Sequence, residues 1–413
     1  MRKWFLVCAL AVTTASIAYA ETWHTWRGDH VNGVYEGNPP LEWSESKNVR
    51  WKTAIPGSGY ATPILHGDRL YVQTAVPADG GKNDYRILAI DRATGKTEWS
   101  KSLRVAAPVE ARNHRTASAA STSGVTDGEH LYAYFGSQGL YCLDFEGNVK
   151  WEKDLGDMRT RNSFGEGSSP AIYGDRIVVN WDHEGDSFIV ALDKRTGKEL
   201  WRNARHEVST WVTPLIVKHG DKVHVIVSAS HQSVGYDLAT GEEIWSCEGL
   251  GTNVSPTPMY KDGVVYVLSG HRSPAMQAID LDKADGDVTG TDAVLWSITQ
   301  NTPYVATPLL YDGHIFLTKN RNAILSCYDA ETGKVIFGPE RLPGMAHIYS
   351  PIVGAQGRVY VADLDGNTRV FKNANEMVVL ATNTLDEGTA SNLTIDGDRI
   401  YFRGYNHLYC IGE

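Results

Sequence analysis

Asp91-Arg92-Ala93-Thr94-Gly95-Lys96-Thr97-Glu98-Trp99 reads as a tight turn running into a strand, and the phrase returns at Asp193 to Trp201, Asp237 to Trp245 and Asp329 to Phe337. A shortened copy runs from Asp144 through Gly147 to Trp151, and drifted copies end at Trp296 and Leu380. With Trp51 included, the phrase ends recur at a mean spacing of about 47 residues, the period of propeller blades or helical arrays. Strands are favoured, because Ile64-Leu65, Leu70-Tyr71-Val72 and Ile87-Leu88-Ala89-Ile90 are short β-rich runs broken by Gly67-Asp68 and by the phrase itself. Four strands per period make a blade. Within the phrase the Asp side chain bonds the turn backbone, the Gly takes positive φ, and the Trp lies on the last strand, where its ring covers the gap to a neighbouring sheet.

A second marker fixes the register. Thr62-Pro63, Ser169-Pro170, Thr213-Pro214, Thr257-Pro258, Thr307-Pro308 and Ser350-Pro351 open their units. Proline has no N–H to give a central ladder, so it marks where the chain passes into the innermost strand. Adding the starts at Ser121 and Asn392 gives eight units, the last of which stops at Cys410-Ile411-Gly412-Glu413, one strand short. Asn48-Val49-Arg50-Trp51-Lys52 resembles the missing strand, so about 41–56 is expected to pair with the last blade and close the ring. The expected fold is all-β: an eight-bladed β-propeller of four-stranded antiparallel blades, in one domain over residues 21–413.

The 413 residues carry 49 acidic and 39 basic side chains, a net charge of −10, with no basic run, which argues against nucleic acid or an anionic membrane as partner. Arg2-Lys3, an uncharged run from Trp4 to Ala18 and Ala18-Tyr19-Ala20 read as a cleaved signal peptide over 1–20, with a periplasmic or secreted destination and no transmembrane anchor in the mature chain. Cys142, Cys327 and Cys410 hold the third-strand position occupied elsewhere by Ala89, Ala191 and Ala278, and Cys247 follows Trp245. They fall in non-adjacent units. Bridging needs Cα atoms within about 7 Å, so four buried free thiols are expected.

Two sets of loops reach the funnel mouth of a propeller. Those leading into the innermost strands supply Arg115, Arg161, Trp211, His347 and Tyr349, with Asn162, Glu166 and Tyr304. Those joining the second and third strands supply His183, His231, His271, Arg272 and Lys319. Guanidinium forks suit carboxylate or phosphate and rings suit stacking, so the mouth is read as a site for an anionic or carbohydrate-like ligand. A metal set of His183, His231 and His271 with Asp182 or Glu184 is conceivable, but no close ligand spacing supports it, and no metal ligand is assigned. Asp280 to Asp287 resembles a calcium loop but misses its spacing, and reads as a solvated insertion in the fifth turn. Gly-x-Ser-x-Gly, phosphate-loop and His-Glu-x-x-His motifs are absent.

The Asp-x-x-Thr-Gly-x-x-x-Trp repeats resemble the pyrroloquinoline-quinone-type (PQQ-like) propeller repeat. The stretch Trp23-His24-Thr25-Trp26-Arg27-Gly28, with Gly33, Trp43 and Trp51, is similar to the opening of exported bacterial proteins built from it. The resemblance covers the whole mature chain and implies eight blades. One branch, the quinoprotein dehydrogenases, holds the quinone and calcium in the funnel beneath a disulfide between adjacent cysteines, and this chain has no Cys-Cys pair. Another, the propeller lipoprotein of the outer-membrane β-barrel assembly machinery, is a scaffold. Its lipid-bearing cysteine is missing here, since bulky Val7 precedes Cys8. The expectation is a binding or scaffolding module with an envelope protein or an anionic or carbohydrate ligand as partner and no assigned cofactor or catalytic residue. The alternatives are a polysaccharide lyase or hydrolase, with Tyr304, Tyr349 or His347 as base beside Arg115 or Arg272, and an oxidoreductase using PQQ with calcium.

Overall fold

The computed structural model describes residues 24–28, 31–110, 117–319 and 322–413; the signal-peptide reading of 1–20 and the nominated Arg115 lie outside them. The chain forms eight sheets, each built around four antiparallel strands, in seven of them in sequence order from the axis outwards. Blade 3 is typical, with Ala171–Tyr173 innermost, then Arg176–Trp181, Phe188–Asp193 and Glu199–Ala204. The innermost strand begins directly after the marker proline, whose missing N–H is therefore not asked to join the ladder.

Ring closure follows the sequence expectation. Val49–Ala54 is the outer strand of blade 8, antiparallel to His407–Ile411, with Trp51 opposite Cys410. Equivalent pairs are Ala89 with Trp99, Cys142 with Trp151, Ala191 with Trp201 and Cys327 with Phe337. In blade 7 the residue at this position is Ala381, opposite Val370, not Leu380. Leu380 sits in the bulge that precedes the position in most blades, and a count of spacings cannot see a bulge. All four described cysteines are free and buried.

The repeated Trp and Gly meet across blades. The Trp201 indole lies where a Cβ on Gly241 would fall 2.6 Å from its Cδ2, and its Nε1 donates to the Leu238 carbonyl at 2.9 Å. Trp51 on Gly95, Trp151 on Gly197 and Trp296 on Gly333 repeat the arrangement. At these four joints the ring of one blade lies on the turn glycine of the next. Dispersion over the ring face and one satisfied indole N–H hold these four joints.

Blade 4 departs from this. Its Trp245 is fully buried, because the 280–293 segment crosses from blade 5 and places Gly286–Asp287 parallel to Glu243–Glu248. Leu281, Ala284, Val288 and Ala293 of that segment are buried against it. The expected solvated insertion is thus a cover over blade 4, since its small apolar residues, spaced between the acids, face the sheet.

A strap below the ring precedes the closing strand. The His24 carbonyl accepts from Thr126 of blade 2, and Asn32 bonds the Tyr260 backbone of blade 5 in both directions. Val34–Tyr35 adds a parallel strand to blade 7. No helix among the described residues is long and apolar enough to cross a membrane.

A blind central funnel as candidate binding site

The eight loops leading into the innermost strands converge on the axis and enclose a cavity of about 400 Å³, with at least one lining residue from every blade. That volume is in the range of small-molecule sites. The throat is built by the residues just before the innermost strands, Ser or Thr in most blades and Asn392 in blade 8. Thr62 N–H donates to Ser123 Oγ at 2.9 Å, Ser123 N–H to Ser169 Oγ at 2.9 Å, and Ser169 N–H to Thr213 Oγ1 at 3.0 Å. Thr257 N–H donates to Thr307 Oγ1 at 3.1 Å, and Asn392 N–H to Thr62 Oγ1 at 3.3 Å across the closure. These five backbone donors are each satisfied by the neighbouring blade.

Trp26 lines the funnel floor and also a second cavity of about 440 Å³ below it. Arg27 is buried beside it, and its Nη2 donates to the carbonyls of Pro308, Ile352 (3.0 Å) and Asn32 (3.2 Å). Burial lowers its pKa to about 10, still charged at neutral pH. Gly33 has φ +79°, and a Cβ there would fall 2.2 Å from the Arg27 Nη2, so the strap closes the channel only with glycine at this point.

Of the nominated residues, Trp211, His271, Arg272 and Tyr349 line the funnel. Trp211 is fixed by Nε1 donation to the Gly165 carbonyl at 2.6 Å, and His271 lies against Tyr304 with ring centroids 4.7 Å apart. Arg161 stands behind the wall, its Nε 3.2 Å from Glu184 Oε1 and its Nη1 3.4 Å from Asn253 Oδ1. His183, His231, Lys319 and His347 are not part of the lining. The buried His183 ring accepts from the Arg159 N–H at Nδ1 (3.2 Å) and meets the Asp186 carbonyl at Nε2 (3.2 Å), which commits both nitrogens. His231 turns Nδ1 to the His206 carbonyl at 2.6 Å. Lys319 is exposed at the end of its strand, and His347 takes φ 53°.

The conceivable histidine metal set is not assembled: His183 is committed to backbone, His231 is exposed, and only His271 faces the funnel. Among the described residues Asp127, Glu129 and His130 form the ligand-like group, but the Lys194 ammonium, 2.8 Å from Asp127, already supplies its positive charge.

Trp26, Tyr60, Phe164 and Asn253 also line the funnel and were not nominated. Asn162, Asn253 and Arg272 adopt φ of 54°, 59° and 60°, left-handed backbone at three wall positions. Neither the strap nor these turns has a periodic signature. The throat did leave one: Ser or Thr before the marker proline.

Behind the wall, a buried network joins blades 3 and 4. Arg205 Nε donates to Asp182 Oδ1 at 2.7 Å, and Nη1 to the Tyr236 hydroxyl at 2.6 Å. Burial works against the guanidinium charge, and Asp182 more than offsets it. Burial also raises the pKa of neighbouring Glu207, which accepts from the N–H groups of Ser230, His231 and Gln232 and pins that loop.

These features define an eight-bladed propeller with a blind, polar-aromatic central funnel. The chain belongs to the PQQ-like propeller family described as outer membrane protein assembly factor BamB, whose profile matches residues 34–180 and 185–289. A polyvinylalcohol dehydrogenase of Sphingopyxis sp. (strain 113P3) is 20% identical over 95% of this chain and 71% of its own length. Two other curated relatives are matched over less than a fifth of their own lengths. Among solved structures, BamB from Moraxella catarrhalis superposes with a TM-score of 0.62 at 13% identity, covering 88% of this chain and 99% of that one. The quinohemoprotein alcohol dehydrogenase of Comamonas testosteroni gives 0.68 at 11% identity, covering 95% and 80%. At these identities the structural likeness shows the fold.

To a cation such as calcium the described wall of the funnel offers one carboxylate and the amides of Asn162, Asn253 and Asn392. Calcium takes six to eight oxygens, carboxylates prominent among them. Glu166 is the carboxylate of the described wall, and its oxygens accept from Ser137 N–H (2.9 Å) and Ser137 Oγ–H (2.5 Å). The four described cysteines are buried and none of them lines the cavity.

Proposed function

We propose that this protein is an exported binding and scaffolding propeller of the cell envelope, and that its funnel holds a carbohydrate-like, polyoxygenated ligand. The family supports the scaffold or binding role; the observation that carries the ligand is a blind cavity with aromatic faces on its wall and hydroxyls around its throat. Sugar rings present apolar faces to aromatic side chains and hydroxyls at their rims, and Trp211, Tyr304 and the throat residues match the two surfaces. A hydrolase needs two carboxyl groups flanking the scissile bond. The described wall offers Glu166, already turned onto Ser137.

The test is a glycan array probed with the mature chain, alongside fractionation of the cells that make it. Retention of a glycan by the native chain and by Trp211→Phe, with loss in Trp211→Ala, is the expected result. A native chain that retains nothing, or binding untouched by Trp211→Ala, contradicts the ligand reading. Recovery from the cytoplasm alone contradicts the envelope assignment.

A further inference from the structure

The hydrogen-bond inventory of the funnel is lopsided. Thr62, Ser123, Ser169, Thr213 and Thr307 all line it, and each hydroxyl oxygen accepts a backbone N–H from a neighbouring blade. Among the described residues none of these five O–H protons finds a protein acceptor. An oxygen that accepts on one side is polarised to donate more strongly on the other. The throat is therefore a ring of oriented O–H donors.

On the same wall three acceptors are already engaged, and Asn392 Oδ1 is an acceptor left open. Glu166 receives Ser137, Asn253 Oδ1 receives Arg161, and the Gly165 carbonyl receives Trp211. At the mouth, exposed Arg272 makes no ion pair among the described residues and brings a positive charge beside the Tyr304 and His271 rings. Below the floor, the buried Arg27 leaves Nε and Nη1 without a partner. A neutral sugar brings a proton to donate with every hydroxyl, and most of those protons would find the wall's acceptors already taken, with no charge to set against Arg272. A ligand rich in oxyanions avoids both.

Resting on the carbohydrate reading above, we infer that the funnel selects acidic saccharides, those carrying carboxylates or sulfates, over neutral ones. The oxyanions sit against the throat hydroxyls and the Arg272 fork, and a sugar face lies on the Trp211 or Tyr304 ring.

The experiment is calorimetric titration of the mature chain with cellohexaose, hexagalacturonate and a sulfated galactan hexaose at low salt. The acidic pair is expected to bind about tenfold more tightly than cellohexaose, with a preference that shrinks as salt is raised. Arg272→Gln, an exposed change whose unaltered melting temperature is checked first, should cut acidic binding about fivefold more than it cuts cellohexaose binding. Ser169→Ala should weaken acidic binding by a similar factor. The two acidic probes separate carboxylate from sulfate recognition. Equal binding of neutral and acidic probes, or an acidic affinity indifferent to Arg272→Gln, overturns the selectivity and leaves the carbohydrate reading standing. Binding of none of the three overturns both.

Discussion

Trp201 of blade 3 covers Gly241 of blade 4, so that a single added Cβ at Gly241 would fall 2.6 Å from the indole Cδ2. Gly241 also has φ +80°, where a side chain is strained in any surroundings. Trp201→Ala should cost about 3 kcal/mol in urea denaturation, and Gly241→Ala about 2 to 4 kcal/mol. With the ring gone, the added methyl meets only the φ penalty, about 1 kcal/mol. The double variant should therefore be more stable than the sum of the singles implies, by about 1 to 3 kcal/mol. Strict additivity would contradict the packing of one residue on the other.

Asp127 and Lys194 tie blade 2 to blade 3 at 2.8 Å. Burial opposes the Asp127 charge, but Lys194, the His130 and Glu129 N–H groups and the Tyr132 hydroxyl hold its pKa down at about 2. A carboxyl whose folded pKa is depressed contributes stability that is complete above its unfolded value near 4 and fades as pH falls towards about 2. Lys194→Met should destabilise the protein by about 2 to 3 kcal/mol at pH 7, and the two melting curves should converge below about pH 2. A constant gap across that window would contradict the assignment.

Burial pushes the thiols of Cys142 and Cys327 up to about 12 and those of Cys247 and Cys410 to about 11. At pH 8 all four should be protonated and inert to a thiol reagent over an hour in the native state, and all four should react within minutes in denaturant. Fast native labelling of any of them, or a bridge found on non-reducing digestion, would contradict the buried, unpaired arrangement.

Arg205→Met removes the partner of fully buried Asp182 and should cost about 3 to 5 kcal/mol. Pairing it with Asp182→Leu should recover a large part of that loss, because no charge is then left stranded between the blades. Failure of the double variant to regain stability would point to packing rather than charge.

The blades were legible in the sequence because their joints are local phrases: a turn glycine, a ring four residues later and a proline before the inner strand. Trp51 could be assigned to the far end of the chain for the same reason. The funnel was legible only in part. Loop position correctly brought Trp211, His271, Arg272 and Tyr349 to the wall. It could not show that His183 and His231 are turned to carbonyls at Asp186 and His206, since those bonds depend on loop shape. Trp26 and Arg27 line the floor from a strap without periodicity, whereas the throat hydroxyls recur before the marker prolines, where they were read for register and not for the funnel.

The most direct test is hydrogen exchange of the mature chain with and without saturating cellohexaose or hexagalacturonate. Ligand in the funnel should slow exchange at 162–167, 211–213, 253–257, 271–272, 304–307 and 349–351 while leaving the outer strands, such as Thr97–Ala106, unchanged. Protection confined to outer strands, or no protection with either sugar, would contradict a propeller that binds carbohydrate at its axis.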